Sequence, residues 1–363
     1  LKDSLSKVFG VSIKDRGAIL STGALADGAY WLNNNAQWIT STYYRDSLPN
    51  WIVDFEKQNP ASSYMRQHWK GDLFDYDLTK MVKENGSSAI KATPKGNELV
   101  FDFAKRLIDE EQLGKDKHTD LLVVSFSSTD YVGHTFGPDA EETKSTYTAL
   151  DKTIAELLLY LDKKMGENNY LLMLTADHGA GTSPELLETK RLKGGNFNSN
   201  EVKNRLDSVL AFKYGANDLV ARYANMQFYL DFNLMDSLNL SEKEIYFTIK
   251  EVLLNEPSIK EVYNVLELKQ AFPSYETKML LNGFHPKRSG DIFLLLNPGY
   301  IEWSRKTGTS HGTHYNYDTH VPLIFYGFRI KPQHINKNLY VSDIAPTLSI
   351  LMKIGFPNAS QGN

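Results

Sequence analysis

The sequence predicts an α/β fold in which a doubly wound, mostly parallel sheet is sandwiched by helices and carries an inserted α+β subdomain. Three observations predict it. Short apolar runs at residues 121–126, 170–175 and 321–326 have the length and composition of buried parallel strands, and each ends in a polar loop containing glycine. Helical patterns alternate with them: Leu99, Val100, Phe103, Ala104 and Leu107 recur at helical spacing within 97–114, and Leu150, Ile154, Leu157, Leu158 and Leu161 within 139–164. Between Gly181 and Pro286 the pattern breaks into a polar, Lys- and Asn-rich stretch, an alternating or edge-type strand at 226–230 and a helix at 241–254. The core is therefore expected to span 1–180 and 287–363, with 181–286 as the insertion. Residues 291–296 and 321–326 are expected to return to the main sheet, and a last helix fits 343–353, with Pro346 in its first turn.

Composition narrows the chemistry. At 363 residues, core size is no constraint. A net charge of −4 gives no reason to expect nucleic acid or an anionic membrane as partner, so a small-molecule substrate is the default. The chain has no cysteine, which removes disulfides and thiolate ligands and leaves His and carboxylates to hold any transition metal. No apolar run approaches the ~20 residues of a membrane span. The sequence starts at Leu1 rather than Met, as expected of a processed or truncated N-terminus.

In an open α/β sheet, ligands bind beyond the carboxyl ends of the strands. Two of the predicted strands run there into Asp/His pairs: Asp130 with His134, and Asp177 with His178. Asp130 and His134 stand one helical turn apart, so a short helix would aim both at one ion, whereas adjacent Asp177 and His178 need a sharp turn that Gly179 permits. Either pair alone is more often a surface pair or a turn. Two carboxylates and two imidazoles on one rim point to metal. A third cluster precedes residue 321. In it His311 is the expected ligand, because Gly312 allows close approach, with His314 as runner-up; His314 and His320 are expected to support the ligands or sit in the core. His68, His118, His285 and His334 carry no such signal. Near the start, Lys14 and Arg16 are spaced by two, which in an extended segment places both on one side, suited to phosphoryl oxygens.

These blocks (12–20, 129–134, 175–179, 311–327 and 343–348) resemble the alkaline phosphatase superfamily, and within it the periplasmic, phosphate-irrepressible monoesterases of the PafA type. The resemblance implies an alkaline-phosphatase-like fold and two zinc ions, one held by Asp130, His134 and His311, the other by Asp177 and His178. Lys14 and Arg16 would hold the phosphoryl oxygens. A phosphate monoester would be attacked in line by a zinc-bound Thr or Ser alkoxide, and water would hydrolyse the resulting phospho-enzyme. It also implies a periplasmic or secreted protein. One departure stands out. The family's first strand, with a further zinc-binding Asp and the nucleophile, is expected upstream of Lys14, where thirteen residues stand, and none of Ser4, Ser6 or Ser12 follows a strand in a tight turn. The chain is therefore expected to be the C-terminal part of such an enzyme, inactive by itself and completed by an N-terminal fragment of the same protein. Two alternatives are a phosphodiesterase or nucleotide pyrophosphatase of the same superfamily, and a non-catalytic zinc-binding remnant of the fold.

Overall fold

The computed structural model describes residues 5–358, 360 and 362, so Ser4 lies outside the described residues. The chain divides into two compact units, one made of Leu1–Val132, Ala140–Asp177 and Pro322–Asn363, the other of Gly133–Asp139 and His178–Val321.

In the first unit four strands line up in the order Trp38–Ile39, Gly28–Leu32, Val8–Ser12, Leu121–Ser125. Val8–Ser12 runs parallel to both neighbours, as expected of a doubly wound sheet, and every one of its residues is buried. Its register pairs Ser12 with Ser125, so the two strands end level, and Lys14 and Asp130 leave the sheet on the same rim. Helix Pro94–Glu110 supplies the main apolar cover. All five positions picked out by periodicity, Leu99, Val100, Phe103, Ala104 and Leu107, are buried on it. Phe103 lies at the centre of an aromatic cluster, with its ring centroid 3.7 Å from Trp38, 5.3 Å from Trp51, 5.4 Å from Phe55 and 5.7 Å from Tyr30.

Two expectations for this unit need correction. Leu323–Gly327, expected as a parallel strand, runs antiparallel to Leu171–Thr175, with Leu323 opposite Thr175 and Gly327 opposite Leu171. Connectivity explains this: the chain leaves the sheet after Thr175 and comes back at the rim it left, so the returning strand has to run away from that rim. Nor are Leu121–Ser125 and Leu171–Thr175 fully buried, despite their apolar runs; every residue in both is half-buried. Each is hydrogen-bonded along one edge, and among the described residues no ladder joins them. Helix Glu141–Met165 shows the same deficit. Leu157 is buried, whereas Leu150, Ile154, Leu158 and Leu161 are half-buried.

The second unit is an α+β body, as expected, but with different limits. Its antiparallel sheet has the order Ile259–Asn264, Ile292–Leu296, Gln227–Leu230, Val220–Ala224. Helices Ser199–Tyr214 and Glu242–Leu254 close one core on it, through Val202, Leu206, Leu210, Ile245, Ile249 and Leu253 against Phe228, Val262, Ile292 and Leu294. Ile292–Leu296 therefore does not return to the main sheet, and the boundary expected at 287 falls at 322. Both of its faces are covered, Phe293 packing on Phe284 with ring centroids 6.2 Å apart, so it carries the unbroken apolar run of a parallel core strand. Gln227–Leu230, expected as an alternating or edge-type strand, alternates half-buried and buried residues and is an interior strand.

Truncating Phe103 to alanine removes the ring on which four other aromatic residues pack. The expected loss is about 3–5 kcal/mol of unfolding free energy, measured by chemical denaturation; a loss below about 1 kcal/mol would show that the cluster does not hold the unit together.

Candidate metal centre

Residues 128 to 136 form a helix, Ser128–Phe136, directly beyond the strand Leu121–Ser125. The buried Asn97 carboxamide oxygen accepts from the Ser128 N–H at 3.1 Å and so fixes the first turn. Four residues of helix bring Asp130 and His134 to the same face. The division between the units falls inside this helix, after Val132, so the helix itself sets Asp130 against His134. The His134 ring is held from two directions. Its Nδ1–H donates to the Thr309 carbonyl oxygen at 2.8 Å, and Trp303 stacks on it at 5.7 Å with an interplanar angle of 13°. Because a carbonyl can only accept, Nδ1 carries the proton and Nε2 keeps its lone pair for a cation. Thr309 can approach this closely because its neighbour is glycine: a Cβ on Gly308 would stand 2.1 Å from the His134 carbonyl oxygen.

His311 follows two residues after Thr309. Its ring lies 5.3 Å from His134, and 3.3 Å from His178 with an interplanar angle of 12°. His178 repeats the arrangement of His134, its Nδ1–H donating to the Gly179 carbonyl oxygen at 2.8 Å. Asp130, His134 and His311 together offer one ligand atom each, all within 4.8 Å of one another, a spread that one cation can bridge. Asp177 precedes His178 and is exposed. Burial pushes the Tyr147 phenol above its ordinary value, and the carboxylates of Asp130 and Asp177 add to the shift, so both charges bear on that one hydroxyl.

Both glycine arguments from sequence need a new reason. Gly179 has no positive φ. What it provides is space, since a Cβ there would lie 2.1 Å from the Tyr317 carbonyl oxygen. Gly312 is the reverse. No atom stands near its missing Cβ, but its φ is +119°, a region that L side chains rarely adopt.

Lys14 and Arg16 do not share an extended segment. Lys14 is extended and caps the helix Asp15–Ile19, and Arg16 lies within that helix. The reason is local: Ser12 Oγ accepts from the Lys14 N–H at 3.0 Å and turns the chain as soon as the strand ends. Lys14 Nζ donates to Asp130 Oδ2 and lies 4.8 Å from the centre of the Tyr131 ring. Arg16 is exposed.

His314 faces elsewhere, with Nε2 3.9 Å from Glu276 Oε1 and its side chain 8% exposed. His320, expected as a supporting or core group, is exposed, because it follows the last turn of the short helix Asn316–Thr319. His68, His285 and His334 are exposed as well, and His118 is half-buried. Sequence reasoning missed Thr309 and Trp303, whose carbonyl and indole carry no ligand signature.

A mainly parallel sheet covered by helices is the α/β architecture of the alkaline-phosphatase-like class. The sequence profile of the type I phosphodiesterase / nucleotide pyrophosphatase family matches residues 16–318. The chain is 38% identical to a protein named calcium-transporting ATPase from Myroides odoratus, over 98% of this chain and 71% of that protein. It is 36% identical to alkaline phosphatase PafA of Elizabethkingia meningoseptica, over 98% of this chain and 70% of PafA. A crystal structure of wild-type PafA superposes with a TM-score of 0.94 at 35% identity, covering 99% of this chain and 74% of the other. The chain belongs to the type I phosphodiesterase / nucleotide pyrophosphatase family, within the alkaline phosphatase superfamily.

Burial pushes the His314 imidazole below its ordinary value of 6.5; Lys260 adds to the shift and Glu276 opposes it. The folded state therefore prefers the neutral ring, and its contribution, full above pH 6.5, is lost as pH falls through the depressed value. The melting temperature should drop more steeply between neutral pH and pH 5 for the native chain than for His314→Leu. Parallel declines would mean that this ring does not titrate on unfolding.

Proposed function

We propose that the protein hydrolyses phosphate monoesters with two zinc ions, through a covalent phospho-enzyme. The observation that carries this reading is the convergence of Asp130, His134 and His311, with the Nδ1–H of His134 donated to a carbonyl oxygen so that Nε2 is the ring atom able to bind a cation. One carboxylate and two imidazoles without a thiolate suit zinc. His178 and Asp177 are the protein ligands proposed for a second ion, the His178 ring lying flat against that of His311. When bound, the two ions would supply Lewis-acid stabilisation of the attacking and leaving oxygens of an in-line displacement.

This chain's own residues do the positioning. Arg16 is exposed and presents a planar fork that can bind two phosphoryl oxygens at once. Lys14, paired with Asp130, holds that carboxylate in place and brings a second positive charge to the same rim. The attacking Thr or Ser is the group the PafA resemblance places before Lys14. Ser6 and Ser12 are both buried, and Ser12 Oγ is already bonded to Ser127 Oγ and the Lys14 N–H, so neither is a candidate nucleophile. A periplasmic or secreted location is part of the same proposal; among the described residues no helix is long and apolar enough to cross a membrane.

The family description favours one other reading, a phosphodiester substrate. Comparing turnover of p-nitrophenyl phosphate with bis-p-nitrophenyl phosphate by the complete enzyme decides between them: a ratio in favour of the diester would overturn the monoester assignment.

Asp130→Ala and His311→Ala should each lose zinc and activity together in the complete enzyme, as followed by elemental analysis alongside phosphatase assays. Full zinc occupancy in either variant would contradict the assigned ligand set. Arg16→Ala should keep its zinc and bind inorganic phosphate about 10- to 100-fold more weakly, the cost of a lost charge-assisted hydrogen bond. Unchanged inhibition by phosphate would remove Arg16 from the substrate site.

A further inference from the structure

Asp318 is 3% exposed, and its two ends are tied to different loops. Its Oδ2 accepts three hydrogen bonds from the residues that follow His311: the Gly312 N–H at 3.0 Å, the Thr313 N–H at 2.7 Å and the Thr313 hydroxyl at 2.7 Å. Its main-chain carbonyl oxygen accepts from the N–H of Gly179, the residue after His178, at 2.7 Å. One residue therefore bonds the chain beside each of the two imidazoles that stack 3.3 Å apart. Burying a carboxylate is costly unless it is hydrogen-bonded, and here one oxygen collects three donors while Oδ1, also buried, has none.

The geometry points to Asp318 as the positioning residue that sets His311 against His178, and so fixes the spacing of the two metal sites. This inference rests on the reading of both histidines as ligands. The mechanism is mechanical. Gly312, at φ +119°, gives the loop a freedom that an L residue would not, and the carboxylate removes it by clamping the N–H groups of Gly312 itself and of Thr313. The same side chain is anchored through its backbone to Gly179, where the missing Cβ lets the Tyr317 carbonyl come close. A shift of the carboxylate would therefore move His311 relative to His178 without touching either ring.

The test compares Asp318→Ala, Asp318→Asn and Thr313→Val in the complete enzyme, with zinc affinity measured by chelator competition next to kcat, KM and melting of the zinc-free proteins. Asp318→Ala should weaken zinc binding about 10- to 100-fold, the usual effect of losing a partner that orients a ligand, and should lower kcat more than it raises KM. Asp318→Asn should stay within a few-fold of the native enzyme, because its amide oxygen can take the three donors while its amide nitrogen occupies the position of the unpaired Oδ1. Zinc affinity in Asp318→Ala equal to the native value would overturn the proposal. Equal losses in the Ala and Asn variants would also overturn it, since they would assign Asp318 a role other than accepting these bonds. If Asp318→Ala does not fold, Thr313→Val carries the test: it removes one of the three donors, and unchanged zinc affinity would again overturn the proposal. A native enzyme that binds no zinc would instead refute the ligand reading itself.

Discussion

Two main-chain carbonyl oxygens, those of Thr309 and Gly179, determine what the histidines of this protein can do. Each accepts the Nδ1–H of one ring at 2.8 Å and so leaves Nε2 as the atom able to bind a cation. A free imidazole exchanges between tautomers and rotates, and a site built from such rings would lose affinity to that freedom. Backbone acceptors stop both motions at once. The demand then passes to the chain that carries the carbonyls, which must run close to a helix at Gly308 and to Tyr317 at Gly179.

Much of this was legible in the sequence because side-chain chemistry and strand ends coincide. A parallel strand that ends in a polar loop delivers whatever follows it to the ligand rim, so Asp130 and His134 could be paired from spacing and placed from the apolar run before them. The five apolar positions of helix Pro94–Glu110 were legible for the same reason: periodicity reports one-sided burial, and that helix is buried on one side.

What escaped were direction, neighbours and backbone acceptors. The strand Leu323–Gly327 has the composition of a parallel strand but runs the other way, and nothing within 321–326 records the direction of its partner. Ile292–Leu296 is apolar throughout because both of its faces are covered, which a run of Ile, Phe and Leu cannot distinguish from membership of the main sheet. The roles of Thr309 and Trp303 depend on tertiary proximity to His134, 175 and 169 residues away in sequence, and Gly179 and Gly312 proved necessary for space and for backbone angle respectively, the opposite of what their contexts suggested.

The placement of donors bears more weight than any other part of this picture, and it can be seen directly. An anomalous-difference map of the complete enzyme, collected on both sides of the zinc absorption edge, should show one peak enclosed by Asp130, His134 and His311 and a second about 4 Å away beside His178. A map with no zinc signal among Asp130, His134 and His311 would contradict it.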